Sequence, residues 1–77
     1  MTPPSRVALS EHALEQLARR GLSAEQVADA VLSMHGRRRR NARSADWLVR
    51  GGGVVAAYNW PDGDDETTAY VISVWPE

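Results

Sequence analysis

The chain has 77 residues, 43% of them hydrophobic and 25% charged, with a formal net charge of -1 at pH 7 and no cysteine. That length makes one domain with a small core, burying about 60% of the surface its unfolded form exposes, and the lack of cysteine excludes disulfides and thiolate metal sites as staples. No run is long and apolar enough to span a membrane, and the opening M-T-P-P-S-R has no hydrophobic region after a basic start, so no secretory signal is expected and the reading is cytoplasmic.

The net charge conceals a sorting along the chain. Residues 1–36 carry -1, residues 37–60 carry six arginines against Asp46 alone, and residues 61–77 carry five acids and no base. A middle block that basic suits phosphate or an acidic protein. All nine bases are arginine. The planar guanidinium fork makes bidentate phosphate contacts, although a GC-rich coding sequence gives the same composition.

Two prolines lie in the opening residues, and residues 1–6 read as a flexible N-terminal arm ahead of a single domain over residues 7–77. Arg6 to Leu9 alternates and reads as a short extended lead-in. Two short helices are predicted next. Ser10 caps the first, Leu9 and Leu14 are placed to close a hydrophobic staple, and Gly21 ends it. Ser23 and Gln26 make a capping box for the second, Leu22 and Val27 repeat the staple, and Gly36 is the stop. At about 100° per residue, Ala13, Leu14, Leu17 and Gly21 gather on one side of the first helix, with His12, Gln16 and Arg19 opposite. Ala24, Val27, Ala28, Val31 and Leu32 form the apolar arc of the second.

The period then changes from helical to alternating. Arg37 to Arg43 reads as an edge strand, guarded by charge against pairing with another chain, and its four consecutive arginines would split two to each face. Asp46 to Arg50 follows, with Trp47 and Val49 pointing one way and Leu48 and Arg50 the other. Gly51, Gly52 and Gly53 turn the chain into Val54 to Trp60, Pro61-Asp62-Gly63 begins the next loop, and Thr67 to Trp75 closes the sheet. The expected class is α+β, two N-terminal helices packed on one face of a three- to four-stranded antiparallel meander sheet. Trp47, Trp60, Trp75, Tyr58 and Tyr70 exceed what two short helices can cover. The surplus aromatic surface reads as a homodimer interface, as surface covered by loops, or as a stacking platform for bases.

The stretch S-E-H-A-L-E-Q-L-A-R-R-G-L-S-A-E-Q-V, followed by a basic strand and a closing Y-V-I-S-V-W-P, resembles domain of unknown function 4258. That family opens on Ser-x-His-Ala, places Arg-Gly before Ile/Leu-Ser, and closes on an alternating strand ending in an aromatic and Pro. The likeness runs from about Val7 to Pro76. Members are similar to small toxins of the RelE kind, built as two helices followed by an antiparallel sheet. The resemblance therefore implies a RelE-like fold, metal-independent cleavage of RNA, and a small antitoxin-like protein as partner. His12 stands at the family's His and Arg20 at the Arg preceding its Gly. Gln16 occupies a place where the family usually has Arg, so a phosphate contact is either lost here or moved to Arg19.

Cleaving RNA without a metal requires a base for the 2'-hydroxyl, an acid for the leaving oxygen, and fixed positive charge for the phosphate. His12 is the candidate base, in the first turn of a helix where free amides favour a neutral imidazole and a docked phosphate. The same residue equally serves as a helix start or packs against the following strand. Arg20 is the candidate catalytic cation and Tyr70 the candidate acid, with Tyr58 and His35 as alternatives for the acid. The candidate RNA-binding residues are Arg19, Arg37, Arg38, Arg39, Arg40, Arg43 and Arg50. His35, at the end of the second helix, reads as a protonated cap suited to the dipole. Asp62, Asp64, Asp65 and Glu66 lack the spacing of a calcium loop and read as an acidic hairpin tip. With no phosphate-cradling glycine loop, zinc set or Ser/His/Asp arrangement, no metal and no cofactor is expected. The alternative to a ribonuclease is a non-catalytic protein- or nucleic-acid-binding module.

Overall fold

A computed structural model describes residues 2–41, 43 and 45–77. The first helix, α1, spans Glu11–Arg20. Ser10 Oγ accepts the Ala13 N–H at 3.0 Å and donates to the Ile72 carbonyl at 3.1 Å, so the cap also ties the helix to the last strand. Gly21, at φ +67°, ends α1 in the left-handed conformation, and the Leu22 N–H returns to the Leu17 carbonyl at 3.1 Å. The second helix, α2, spans Ala24–Met34 and begins with the Gln26 N–H donating to Ser23 Oγ at 3.0 Å. The Gln26 side chain reaches outward instead of closing the expected box. Its Nε2 donates to the Gly52 carbonyl at 3.0 Å, pinning the helix start to the glycine turn. Past Met34 the chain tightens into a 3-10 turn, His35–Arg37, which runs through the Gly36 expected to stop it.

Five strands follow the order β1-β5-β4-β3-β2, where β1 is Arg6–Leu9, β2 Arg39–Arg40, β3 Trp47–Gly51, β4 Val54–Asn59 and β5 Thr68–Pro76. Strands β2 to β5 form the antiparallel run that the alternation predicts. Strand β1 is the difference. The stretch read as a lead-in is a fifth strand, parallel to β5 with Arg6 opposite Thr68 and Leu9 opposite Val71, so the sheet is mixed and larger than the three to four antiparallel strands expected. A parallel neighbour needs a long crossover, and the two helices supply its start by carrying the chain over the sheet. Pro4 is buried, and the Ser5 and Arg6 N–H groups both donate to the Thr67 carbonyl, at 2.9 and 3.0 Å, so the end of the predicted arm is held at the sheet margin. Position 1 of that arm and position 42 of the predicted strand from Arg37 to Arg43 lie outside the described residues. Of that strand, only Arg39 and Arg40 pair with β3.

The core lies between the helices and one face of the sheet, where Ala13, Leu17, Val27, Ala30 and Val31 meet Val49, Val54, Ala56, Tyr58, Ala69, Val71 and Val74. Gly52 and Gly53, at φ +61° and +84°, make the two-residue β3–β4 turn that needs left-handed backbone at both positions. Helix α1 is rotated relative to its apolar arc. Leu14 is 50% exposed, while Gln16 faces the sheet and its Oε1 accepts the Val74 N–H at 2.7 Å, beside a β-bulge at Ala57/Tyr58. A polar anchor on irregular backbone outweighs one more leucine contact here. No helix among the described residues is long and apolar enough to cross a membrane.

Charge is separated by layer. No strand contains an acidic residue, and the strands carry Arg6, Arg39, Arg40 and Arg50. The acids Glu11, Glu15, Glu25 and Asp29 lie exposed on the helices.

Candidate nucleic-acid interface

The apolar stripe Val27 and Val31 continues, at helical spacing, to His35, which is 5% exposed. A 2.8 Å hydrogen bond joins its Nδ1 to the hydroxyl of Tyr58, which is itself fully buried on β4. The edge of the Trp60 ring meets the imidazole with centroids 4.5 Å apart. Burial, and then the nearby Arg38 guanidinium, hold the His35 pKa below its usual value, so the ring is neutral near pH 7. Burial likewise pushes the Tyr58 pKa up to about 12, against a smaller opposing pull from Arg38. His35 is therefore a buried neutral hydrogen-bonding group and not the protonated helix cap that its position suggests.

Beyond His35 the four consecutive arginines divide. Arg38 turns inward, with its Nη1 donating to the His35 carbonyl at 3.1 Å and its guanidinium 4.3 Å from the Trp47 ring centre and 5.2 Å from that of Trp60. Its Nε is buried without a hydrogen-bond partner among the described residues, and the two indole faces are what hold the group. Arg40 also approaches Trp47, at 5.5 Å. The indoles are in turn fixed, Trp47 Nε1 donating to the Trp60 carbonyl at 3.1 Å and Trp60 Nε1 to the Glu66 carbonyl at 2.8 Å.

Arg37 and Arg39 face the other way. Together with Arg50, Leu48, Val49 and Met34 they line a cleft of about 430 Å³. The cleft exists because β2 covers only Trp47 and Leu48 of β3, leaving the edge from Val49 to Gly51 without a strand beside it. Met34 packs against the end of that edge so closely that a Cβ on Gly51 would stand 3.0 Å from Met34 Cγ. No acidic residue lines the cleft. Three guanidinium groups around an apolar floor can hold phosphate oxygens by charge-assisted, bidentate hydrogen bonds. Among the described residues there is no group of three His, Cys, Asp or Glu side chains able to hold a metal ion.

The remaining sequence candidates sit elsewhere. His12 is exposed in the first turn of α1, and Arg19 and Arg20 are exposed in its last turn. Eight residues of helix separate His12 from Arg20, roughly 12 Å along the axis. Tyr70, half-buried on β5 opposite Asn59 and Ala8, lies on the sheet face turned away from the helices. The proposed base, cation and acid are thus on different surfaces. Arg43 is exposed in the β2–β3 connection, its N–H donating to Asn41 Oδ1 at 3.1 Å. The acidic hairpin is as expected, closed by reciprocal Asp62 and Asp65 backbone bonds of 3.1 and 2.9 Å. The Asp65 carboxylate accepts from Thr67 and Thr68, which hold its pKa below the usual value.

Sequence reasoning assigned no role to Trp47 or Trp60 and took Gln16 for a lost phosphate contact. The i, i+4, i+8 spacing of Val27, Val31 and His35 was the available signal that His35 is internal. Comparison with protein-family models, curated proteins and solved structures finds no match to this chain.

Proposed function

We propose that this domain binds RNA by taking its phosphate backbone in the arginine cleft. The observation that carries the reading is the convergence of Arg37, Arg39 and Arg50 on one cleft with no acidic residue in its lining. The absence of acids from every strand supports it, because the potential over the β2–β3 side then stays positive despite a net charge of -1. RNA as ligand implies a cytoplasmic protein.

A second reading, the metal-independent RelE-like ribonuclease, is supported by the resemblance of the opening motif to domain of unknown function 4258. It is favoured also by the element order, two helices before an antiparallel run. In it His12 is the base, Arg20 the cation and Tyr70 the acid, and a small acidic antitoxin-like protein would cover the arginine cleft. A homodimer would instead pair apolar surfaces and leave the cleft free.

The test is a fluorescence titration with RNA at several salt concentrations. Binding that weakens steeply with salt is expected, and replacing Arg39 and Arg50 together by alanine lowers the slope of log K against log salt by roughly 1.4 to 1.8. Wild-type protein that does not bind RNA at low salt refutes the reading. Induced expression of wild type beside His12→Ala and Arg20→Ala, with total RNA run on a gel, separates the two readings. Cleavage abolished by either change establishes the nuclease, and intact RNA with retained affinity leaves a binding module.

A further inference from the structure

The sheet face turned away from the helices has no layer over it, yet it is not bare. By register, Arg50, Val55 and Trp75 form one row across that face, and Arg39, Leu48, Ala57 and Ser73 form the next. Val55 and Ala57 are 2% and 0% exposed although no helix covers them. Their larger neighbours therefore lie across them. Trp75, Tyr70 and Leu48 remain half-buried, each shielding the sheet with one surface and offering another to solvent. Three of these outer-face residues, Leu48, Arg39 and Arg50, also line the arginine cleft, so cleft and aromatic surface are continuous.

Two kinds of group thus meet on one surface. Arginines stand on β2 and β3, and aromatic rings on β5. Arg50 and Trp75 lie in the same row two strands apart, a separation of roughly 10 Å, which one nucleotide can span between its phosphate and its base. Of the arginines on this face, Arg6 is occupied by Thr68, donating from Nε at 3.2 Å beside Asp65. Arg39 and Arg50 are the cations left for a ligand.

We propose that this outer face is a stacking platform for unpaired bases, so that the domain selects single-stranded over double-stranded RNA. The inference rests on the RNA-binding reading of the cleft and adds the class of RNA. A duplex hides the faces of its bases inside its own stack, and only its phosphates can meet the cleft. A single strand splays its bases, and each finds an aromatic face irrespective of sequence. Uncovered rings with no acid on any strand suit that ligand, because every base has a π-face and every nucleotide carries a negative charge.

The test titrates the full chain with a 12-nucleotide oligouridylate and with a 12-base-pair RNA duplex, following tryptophan fluorescence. The single strand is expected to bind at least tenfold tighter than the duplex and to quench the emission. Trp75→Leu keeps an apolar cover over Val55 and is expected to lose about tenfold in single-strand affinity while duplex affinity stays unchanged. Trp75→Phe, which retains a ring, recovers most of that loss. Equal affinity for strand and duplex in the wild type, a comparison that needs no variant, overturns the proposal, as does folded Trp75→Leu that binds the single strand like wild type. A wild-type dimer that Trp75→Leu converts to a monomer assigns the face to a second copy and also overturns it. Failure of the wild type to bind either RNA removes the cleft reading itself, whereas salt-dependent binding without strand preference removes only the platform.

Discussion

Replacing Tyr58 by phenylalanine removes one oxygen from the buried side of β4 and leaves His35 Nδ1 without the partner it has at 2.8 Å. Both residues are inaccessible to water, Tyr58 fully and His35 at 5% exposure, so no solvent molecule restores the bond. An orphaned buried polar group costs about 1–3 kcal/mol. In a domain of this length each kcal/mol moves the melting temperature by about 4–8 °C, which predicts a fall of roughly 4 to 20 °C. Thermal unfolding by circular dichroism at pH 7.5 reads it. The double variant Tyr58→Phe with His35→Leu removes both halves of the bond, so the two losses are expected to be less than additive, with a coupling of about 1 kcal/mol. The same pair predicts a pH dependence. Because burial and Arg38 depress the His35 pKa in the folded state, the unfolded chain binds the proton more readily. The stability gained by keeping the ring neutral is complete above the usual value of 6.5 and is lost as pH falls from there through the folded value. Asp65, whose pKa is lowered from 3.8, contributes stability that is lost only below that pH, outside this window. Melting temperature should fall between pH 7.5 and 5 by more in wild type than in His35→Leu. Tyr58→Phe melting within about 1 °C of wild type at pH 7.5, or fully additive losses in the double variant, would refute the account.

Two further outcomes follow from the way single side chains are used. Gln16→Ala gives up the 2.7 Å bond to the Val74 N–H and should destabilise by about 1 kcal/mol with RNA affinity unchanged; a fall in affinity at constant stability would mean that Gln16 touches ligand. Among the consecutive arginines, Arg38→Ala should cost about 1–2 kcal/mol and shift tryptophan emission by uncovering Trp47 and Trp60. Arg37→Ala should leave the melting temperature within about 2 °C of wild type and weaken RNA binding; the opposite pattern in either variant would show that the two side chains have been assigned the wrong roles.

What could be read from the sequence was what is local. Ser10 and Ser23 cap where their spacing says, Gly21 stops α1, Gly52 and Gly53 turn the hairpin, and the alternation after residue 46 finds β3, β4 and β5 to within a residue. Even the division of the four arginines into pairs came from a period of two, with Arg37 and Arg39 at the cleft and Arg38 and Arg40 toward Trp47. Each of these follows from backbone conformation and hydrogen bonding within a few residues. The sequence also determined that aromatic surface would be left over, since two short helices cannot cover five rings.

Three things were decided only in three dimensions. Arg6–Leu9 became a strand because β5, 62 residues away, presents a free edge to it, and a four-residue alternation carries no information about a partner that distant. Gln16 became an anchor because a bulge on the neighbouring strands places the Val74 N–H beneath α1, which no helical wheel contains. His35 changed from a charged cap to a neutral buried base because the dipole at a helix end is outweighed once the group loses water and gains Arg38 as a neighbour. The cleft has the same origin. Its arginines are written in the chain, but their convergence with Arg50 depends on β2 stopping after two residues, and strand length at a sheet edge is set by where the chain can leave, not by the residues that line the gap.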